Sequence, residues 1–108
     1  MAYDAPFPEK RHKAGARAWP LLVPTDPDDH GARALKAAKA VLSTWDRPTL
    51  VLFSDGDKFF RDQGKNFREL IPGAALWPET VIKRAGHLLT EDRPDEVTNA
   101  IRSFLEKT

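Results

Sequence analysis

The feature that most constrains the fold of this chain is an unbroken apolar run at residues 49–54, TLVLFS, which ends at the acidic turn DGD, residues 55–57. A run without polar alternation predicts a strand buried on both faces, as in a parallel sheet covered by helices. A second short strand is predicted at residues 79–83, ETVIK. Residues 62–71 between them have a helical pattern, so the strand–helix–strand order predicts two parallel strands.

Helical segments are predicted on both sides of this unit. Good helix formers occupy residues 9–18 and stop at Pro20, and the clearest apolar stripe runs through residues 32–45. A last helix is predicted at residues 95–106, capped by Thr90 or Asp92. The whole pattern is that of an α/β fold. Because two strands do not make a stable parallel sheet, we expect the chain to be the C-terminal piece of a larger α/β protein.

Composition excludes several classes of function. The 108 residues include 17 Lys and Arg against 16 Asp and Glu, which gives no basic footprint for nucleic acid. There is no cysteine, so disulfides and cysteine-ligated zinc are excluded, and the spacing of the histidines predicts no metal site or cofactor. No apolar run approaches about 18 residues and no signal-peptide core follows the N-terminus, so we expect a cytoplasmic protein without a membrane partner.

The polar residues after the two strands are the candidates for chemistry. Function in open α/β sheets gathers outside the carboxyl ends of the strands. Asp57 follows the first predicted strand and His87 follows the second, thirty residues later. A carboxylate there would accept the ring N–H of the imidazole, fix its tautomer and stabilise the imidazolium.

Each of these signals has a structural interpretation when it is taken alone. An Asp-Gly-Asp turn is more often a solvated turn than a catalytic one. A single histidine after a strand is more often structural. The acid and the histidine together, on neighbouring strand ends and in the order acid then histidine along the chain, favour a catalytic pair of the α/β-hydrolase type.

Five segments of the chain carry a resemblance to a known family. They are AYDAPFP (2–8), KAGARAWPLLVP (13–24), WDRPTLVLFSDGDKFF (45–60), IPGA (71–74) and AGHLLTEDRPDEV (85–97). With these segments the chain resembles the C-terminal part of the haloalkane dehalogenases, within the α/β-hydrolase superfamily. The first two segments are fairly specific to dehalogenases, whereas the acid and Gly-His elements are shared with epoxide hydrolases and other relatives.

The resemblance implies a fold and a mechanism. Residues 1–30 would be the end of the cap region with its connection, and residues 31–108 the C-terminal part of the main domain. In that family an aspartate displaces halide to form an alkyl ester, which water then hydrolyses with the help of a histidine base and an acid. By this match Asp57 is the acid, with Asp55 as the alternative, and His87 is the base.

The resemblance also implies an apolar substrate pocket for a small halogenated compound. Trp19 and Pro20 match a Phe-Pro pair that lines it, Val23 matches a lining position, and Phe59 and Phe60 match two more after the acid.

No G-x-S-x-G or G-x-D-x-G elbow occurs in the sequence, so the nucleophile is missing and we expect the 108-residue chain alone to be inactive. The alternatives are a fragment of an epoxide hydrolase or another α/β-hydrolase, and a non-catalytic interaction module that self-associates through an exposed sheet edge.

Overall fold

A computed structural model describes residues 2–60 and 62–108 of the chain. The chain divides into two compact units, residues 1–39 and 40–108. The described residues form five α-helices and two strands: α1 (Ala14–Ala18), α2 (Ala32–Leu42), β1 (Leu52–Ser54), α3 (Gln63–Leu70), β2 (Thr80–Ile82), α4 (Leu89–Asp92) and α5 (Pro94–Lys107). Short 3₁₀ helices occupy Ala2–Asp4, Lys10–Lys13, Trp19–Leu22 and Pro72–Leu76.

Pro20 does not break the first helical segment in the way the sequence predicts. α1 ends at Ala18, and the chain continues directly into the 3₁₀ helix Trp19–Leu22. Pro20 is the second residue of that helix, where a missing backbone N–H costs little because the first turn leaves such donors unpaired. At the position where the sequence predicts the helix to end, the chain changes from an α-helix to a 3₁₀ helix.

Asp29 organises the polar turn before α2. Its Oδ2 accepts the backbone N–H groups of Thr25 and Asp26 at 2.7 and 2.8 Å. These two hydrogen bonds outweigh desolvation and hold the pKa of Asp29 below its ordinary value. Gly31 follows with φ of +90°, a conformation that glycine adopts without strain, and α2 begins at the next residue. The carboxylate of Asp29 therefore stabilises the turn that leads to α2.

The two strands pair in parallel, as the sequence predicts. Phe53 lies opposite Val81, and the paired segments are only three residues long. β1 is shorter than the predicted strand, and the predicted first residue has another partner: the N–H of Thr49 donates to the carbonyl oxygen of Gly73 at 3.1 Å. The carboxyl ends of both strands lie at the same edge of this small sheet.

Two clusters of buried side chains hold the second unit together. Val51, Ile71 and Ala74 form the first, against which Leu42, Phe53 and Leu70 pack. Ile82, Ala85 and Val97 form the second, joined by Leu52 and Leu89. Because the clusters contain residues from β1 and β2 and from the segments after them, they fix the strand ends from which the candidate site projects.

Several apolar residues that the helical patterns place on inner faces are exposed instead. Leu35 and Val41 of α2 keep about three fifths of their surface, and Leu105 of α5 keeps 70%. Two strands of three residues offer too little surface to cover these helices. Among the described residues, no helix has both the length and the hydropathy that a membrane crossing requires.

The segment after β2 also differs from its prediction. Residues 84–94, which lie between the second predicted strand and the last predicted helix, contain the one-turn helix α4. α5 begins at Pro94, close to its predicted start, without a side-chain cap. Asp92, predicted to cap α5, instead accepts the backbone N–H of Gly86.

Candidate active site

Asp57 lies in the loop after β1 with a buried side chain, of which 7% is exposed. Its Oδ1 accepts the backbone N–H groups of Phe59 and Phe60 at 2.8 and 3.1 Å, which closes a turn of the kind that aspartate favours. Its Oδ2 lies 3.0 Å from Nδ1 of His87. One carboxylate oxygen therefore holds the local turn and the other faces the histidine.

The charge on Asp57 determines the tautomer of His87. Desolvation raises the pKa of Asp57, but the hydrogen bonds from His87 and from the two phenylalanine N–H groups lower it by more, so the pKa lies below its usual range. The carboxylate is then ionised at neutral pH and acts only as an acceptor. Nδ1 of His87 must carry the hydrogen, and in the neutral ring Nε2 is the basic nitrogen.

Hydrogen bonds join the loop after β1 to the loop after β2 at four consecutive residues. Ser54 Oγ donates to the carbonyl of Gly86 at 2.7 Å, and Asp55 Oδ1 accepts the N–H of Arg84 at 2.8 Å. The N–H of Gly56 donates to the carbonyl of Ala85 at 3.0 Å, and the contact between Asp57 and His87 is the fourth. The site is thus built on two loops that are fastened to each other along their length.

Asp55 has a structural partner instead of the histidine. It accepts the backbone N–H of Arg84, whose φ of 56° is in the left-handed region that costs a non-glycine residue roughly 1 kcal/mol. This hydrogen bond stabilises the sharp turn that leads β2 toward His87. The geometry therefore separates the two acids of the DGD turn: Asp57 contacts the imidazole and Asp55 supports the backbone.

Phe59 and Phe60 flank the imidazole. Both ring centroids lie 5.4 Å from that of His87, Phe59 edge-on and Phe60 stacked. Phe59 is 80% exposed and Phe60 48%, so both present apolar surface beside the histidine. Trp19, Pro20 and Val23, predicted to line the same pocket, lie exposed in the first unit, in and just after the 3₁₀ helix Trp19–Leu22, and their place in a pocket stays a prediction.

Comparison with known proteins shows what this chain is similar to. No family model matches the chain. It is 39% identical to the haloalkane dehalogenase of Psychrobacter cryohalolentis over 96% of its own length, and 42% identical to haloalkane dehalogenase 1 of Mycobacterium bovis over 98%. It is 41% identical to the haloalkane dehalogenase of Mycobacterium marinum over 94%. The chain resembles the C-terminal portion of haloalkane dehalogenases.

This similarity confirms the predicted family and fold class. The chain spans about a third of the length of the curated haloalkane dehalogenases that it matches. Its two parallel strands with flanking helices are the C-terminal part of an α/β-hydrolase fold. The similarity does not assign roles to single residues.

Sequence reasoning missed the residues that support the contact between Asp57 and His87. The sequence predicts Ser54 as the last residue of a strand and Asp92 as a possible cap for the final helix. Both instead bind the backbone of Gly86. The position of Ser54 directly before an acidic turn was a weak signal, because a buried hydroxyl at a strand end needs a partner. No cluster of three metal-binding side chains occurs among residues 2–60 and 62–108.

Proposed function

We propose that this chain is the C-terminal portion of a haloalkane dehalogenase-type hydrolase and supplies the acid and the base of its hydrolytic step. The observation that carries the proposal is the 3.0 Å contact between Asp57 Oδ2 and His87 Nδ1, made across the carboxyl ends of two parallel strands. This arrangement leaves Nε2 of His87 as the basic nitrogen.

The base and the acid have distinct tasks in the proposed step. An aspartate outside these 108 residues displaces halide from the substrate and is left as an alkyl ester. Nε2 of His87 then takes a proton from water as the water oxygen attacks the ester carbonyl, while Asp57 stabilises the imidazolium that forms. The ester C–O bond then breaks, the imidazolium of His87 returns its proton to the leaving alkoxide to give the alcohol, and the carboxylate is restored as the second proton of the water is released.

The proposed substrate is a small apolar halogenated compound. Phe59 and Phe60 support this because both present aromatic surface beside the base. An apolar wall next to the reacting centre excludes water that would solvate the displaced groups. Trp19, Pro20 and Val23 would line the same pocket, within a cap region that ends at about residue 30.

The 108-residue chain alone is proposed to be inactive. Its sequence has no elbow motif that could present the nucleophile, and without the nucleophile no ester forms for His87 to hydrolyse.

A hybrid enzyme tests this function. In haloalkane dehalogenase 1 of Mycobacterium bovis, the matching segment of 106 residues is replaced by this chain. We expect the hybrid to release halide from a haloalkane over many turnovers. We expect His87→Ala to release one equivalent of halide and to accumulate the alkyl ester, detectable as a mass increase of the intact protein.

The control for this experiment is His12→Ala, a change in the exposed segment Lys10–Lys13 that should leave turnover intact. Multiple turnovers by His87→Ala, or halide release by the 108-residue chain above its own His87→Ala variant, would refute the proposal. Diol formation from an epoxide without halide release would favour the epoxide hydrolase alternative.

A further inference from the structure

We propose that Ser54 and Asp92 are positioning residues for His87, acting together on the backbone of Gly86. This inference rests on the proposed function of His87 as a base. Gly86 directly precedes the histidine, and each of its two backbone polar groups is held by a side chain from elsewhere in the chain.

Ser54 holds the peptide group that contains the nitrogen of His87. Its hydroxyl donates to the carbonyl oxygen of Gly86 at 2.7 Å, and that carbonyl belongs to the Gly86–His87 peptide. Ser54 is the last residue of β1, and only 7% of its surface is exposed. The sheet therefore restricts the position of its hydroxyl group. The plane of the Gly86–His87 peptide is thereby tied to the strand that precedes Asp57.

Asp92 holds the peptide group on the other side of Gly86. Its Oδ2 accepts the N–H of Gly86 at 2.6 Å, and this N–H belongs to the Ala85–Gly86 peptide. Asp92 is the last residue of α4, which begins two residues after the histidine. The short helix is therefore fastened back onto the loop that it follows.

These two hydrogen bonds together restrict the backbone torsion angles of Gly86, the residue directly before His87. The orientations of the peptide planes on either side of a Cα atom determine its φ and ψ, and glycine has the widest freedom in both. With both planes held, the ring of His87 stays aligned with Asp57. Displacement of a catalytic group by about 1 Å costs on the order of 10²-fold in rate, so a partial loosening is expected to cost about tenfold.

The hybrid enzyme described above separates this effect from a general loss of structure. Single-turnover measurements give two rates: halide release, which does not need His87, and hydrolysis of the ester, which does. We expect Ser54→Ala to slow ester hydrolysis about tenfold and to leave halide release unchanged. Ser54→Thr keeps the hydroxyl and should restore most of the hydrolysis.

Asp92 provides an independent pair of variants at an exposed position, where truncation leaves no cavity. Asp92→Ala should slow ester hydrolysis selectively, and Asp92→Asn, which keeps an acceptor oxygen, should slow it less. If Ser54→Ala does not fold, this pair decides the question. The ¹⁵N signals of the His87 ring give a second readout: the Nδ1–H tautomer should dominate in the parent hybrid and lose population in both alanine variants.

The outcomes distinguish this inference from the function on which it rests. If His87→Ala blocks ester hydrolysis but both alanine variants keep its rate and the tautomer, the positioning role is refuted and the function stands. Equal slowing of halide release and hydrolysis, or equal loss in Ser54→Thr and Ser54→Ala, also refutes positioning. Continued ester hydrolysis by His87→Ala refutes the function itself.

Discussion

Gly56 lies so close to Ala85 that a Cβ atom on Gly56 would come within 2.5 Å of the Ala85 carbonyl oxygen. The same two residues share a backbone hydrogen bond of 3.0 Å. This approach brings the loop after β1 against the loop after β2. Asp57 directly follows Gly56 and His87 lies two residues after Ala85, so the two side chains of the candidate pair come within reach of each other.

The first prediction concerns this contact. Gly56→Ala should destabilise the fold by about 1–3 kcal/mol, because the added methyl group meets a backbone atom that cannot turn aside. Urea denaturation of the hybrid enzyme measures the loss. The control is Gly15→Ala in α1, where a Cβ meets nothing within 4 Å and the change should be neutral or stabilising. Equal effects of the two substitutions would contradict the prediction.

The second prediction separates the two acids of the DGD turn. Asp57→Asn removes the negative charge that fixes the tautomer of His87, and ester hydrolysis should fall by about 10³- to 10⁴-fold. Asp55→Asn keeps an oxygen that can accept the N–H of Arg84, and hydrolysis should change by less than about threefold. Rapid-quench measurement of the alkyl ester compares them. The reverse ranking would make Asp55 the acid.

The third prediction is a dependence of stability on pH. The pKa of Asp57 is lowered in the folded protein, so the folded state binds this proton less tightly than the unfolded state does. Its contribution to stability is fully present above the unfolded-state pKa of about 3.9 and is lost as the pH falls through the lower folded value. The difference in urea midpoint between the hybrid and its Asp57→Asn variant should be constant near neutrality and shrink below about pH 4. A difference that grows on acidification would be inconsistent with this.

The fourth prediction concerns the buried cluster of Val51, Ile71 and Ala74. Ile71 keeps 4% of its surface and packs with Val51 and Ala74, so Ile71→Ala should cost about 2–5 kcal/mol through lost burial and the cavity left behind. Leu21, 85% exposed, serves as the control, and Leu21→Ala should stay within about 0.5 kcal/mol. Thermal or urea unfolding measures both, and similar losses would argue against this core.

The fifth prediction concerns the 108-residue chain by itself. Val41, Ile101 and Leu105 keep 60%, 43% and 70% of their surface, so helices α2 and α5 leave large apolar side chains uncovered in this chain. We expect the chain alone to bind a hydrophobic dye and to unfold without a sharp transition, unlike the hybrid. A sharp melt of a monomer would contradict this, and a defined dimer in size-exclusion chromatography would favour the interaction module.

The order of elements and the candidate pair followed from local features of the sequence. The apolar run before the DGD turn, the helical pattern after it and the second short strand predict two parallel strands whose carboxyl ends are adjacent. The adjacency of Asp57 and His87 is a consequence of that topology alone, since parallel neighbours end at the same edge. Phe59 and Phe60 lie near Asp57 because they follow it by only two and three residues in the chain.

The support of the pair was decided only by the tertiary structure. Ser54, Asp55 and Asp92 have side chains that suit a turn, a cap or a solvated surface equally well, and nothing local indicates that they bind residues 84–86. The strand lengths were also decided there, because pairing depends on the partner and Thr49 bonds to Gly73 instead. Propensity and periodicity record what each segment favours alone, whereas a hydrogen bond between two loops depends on distances that exist only after both strands have docked in register.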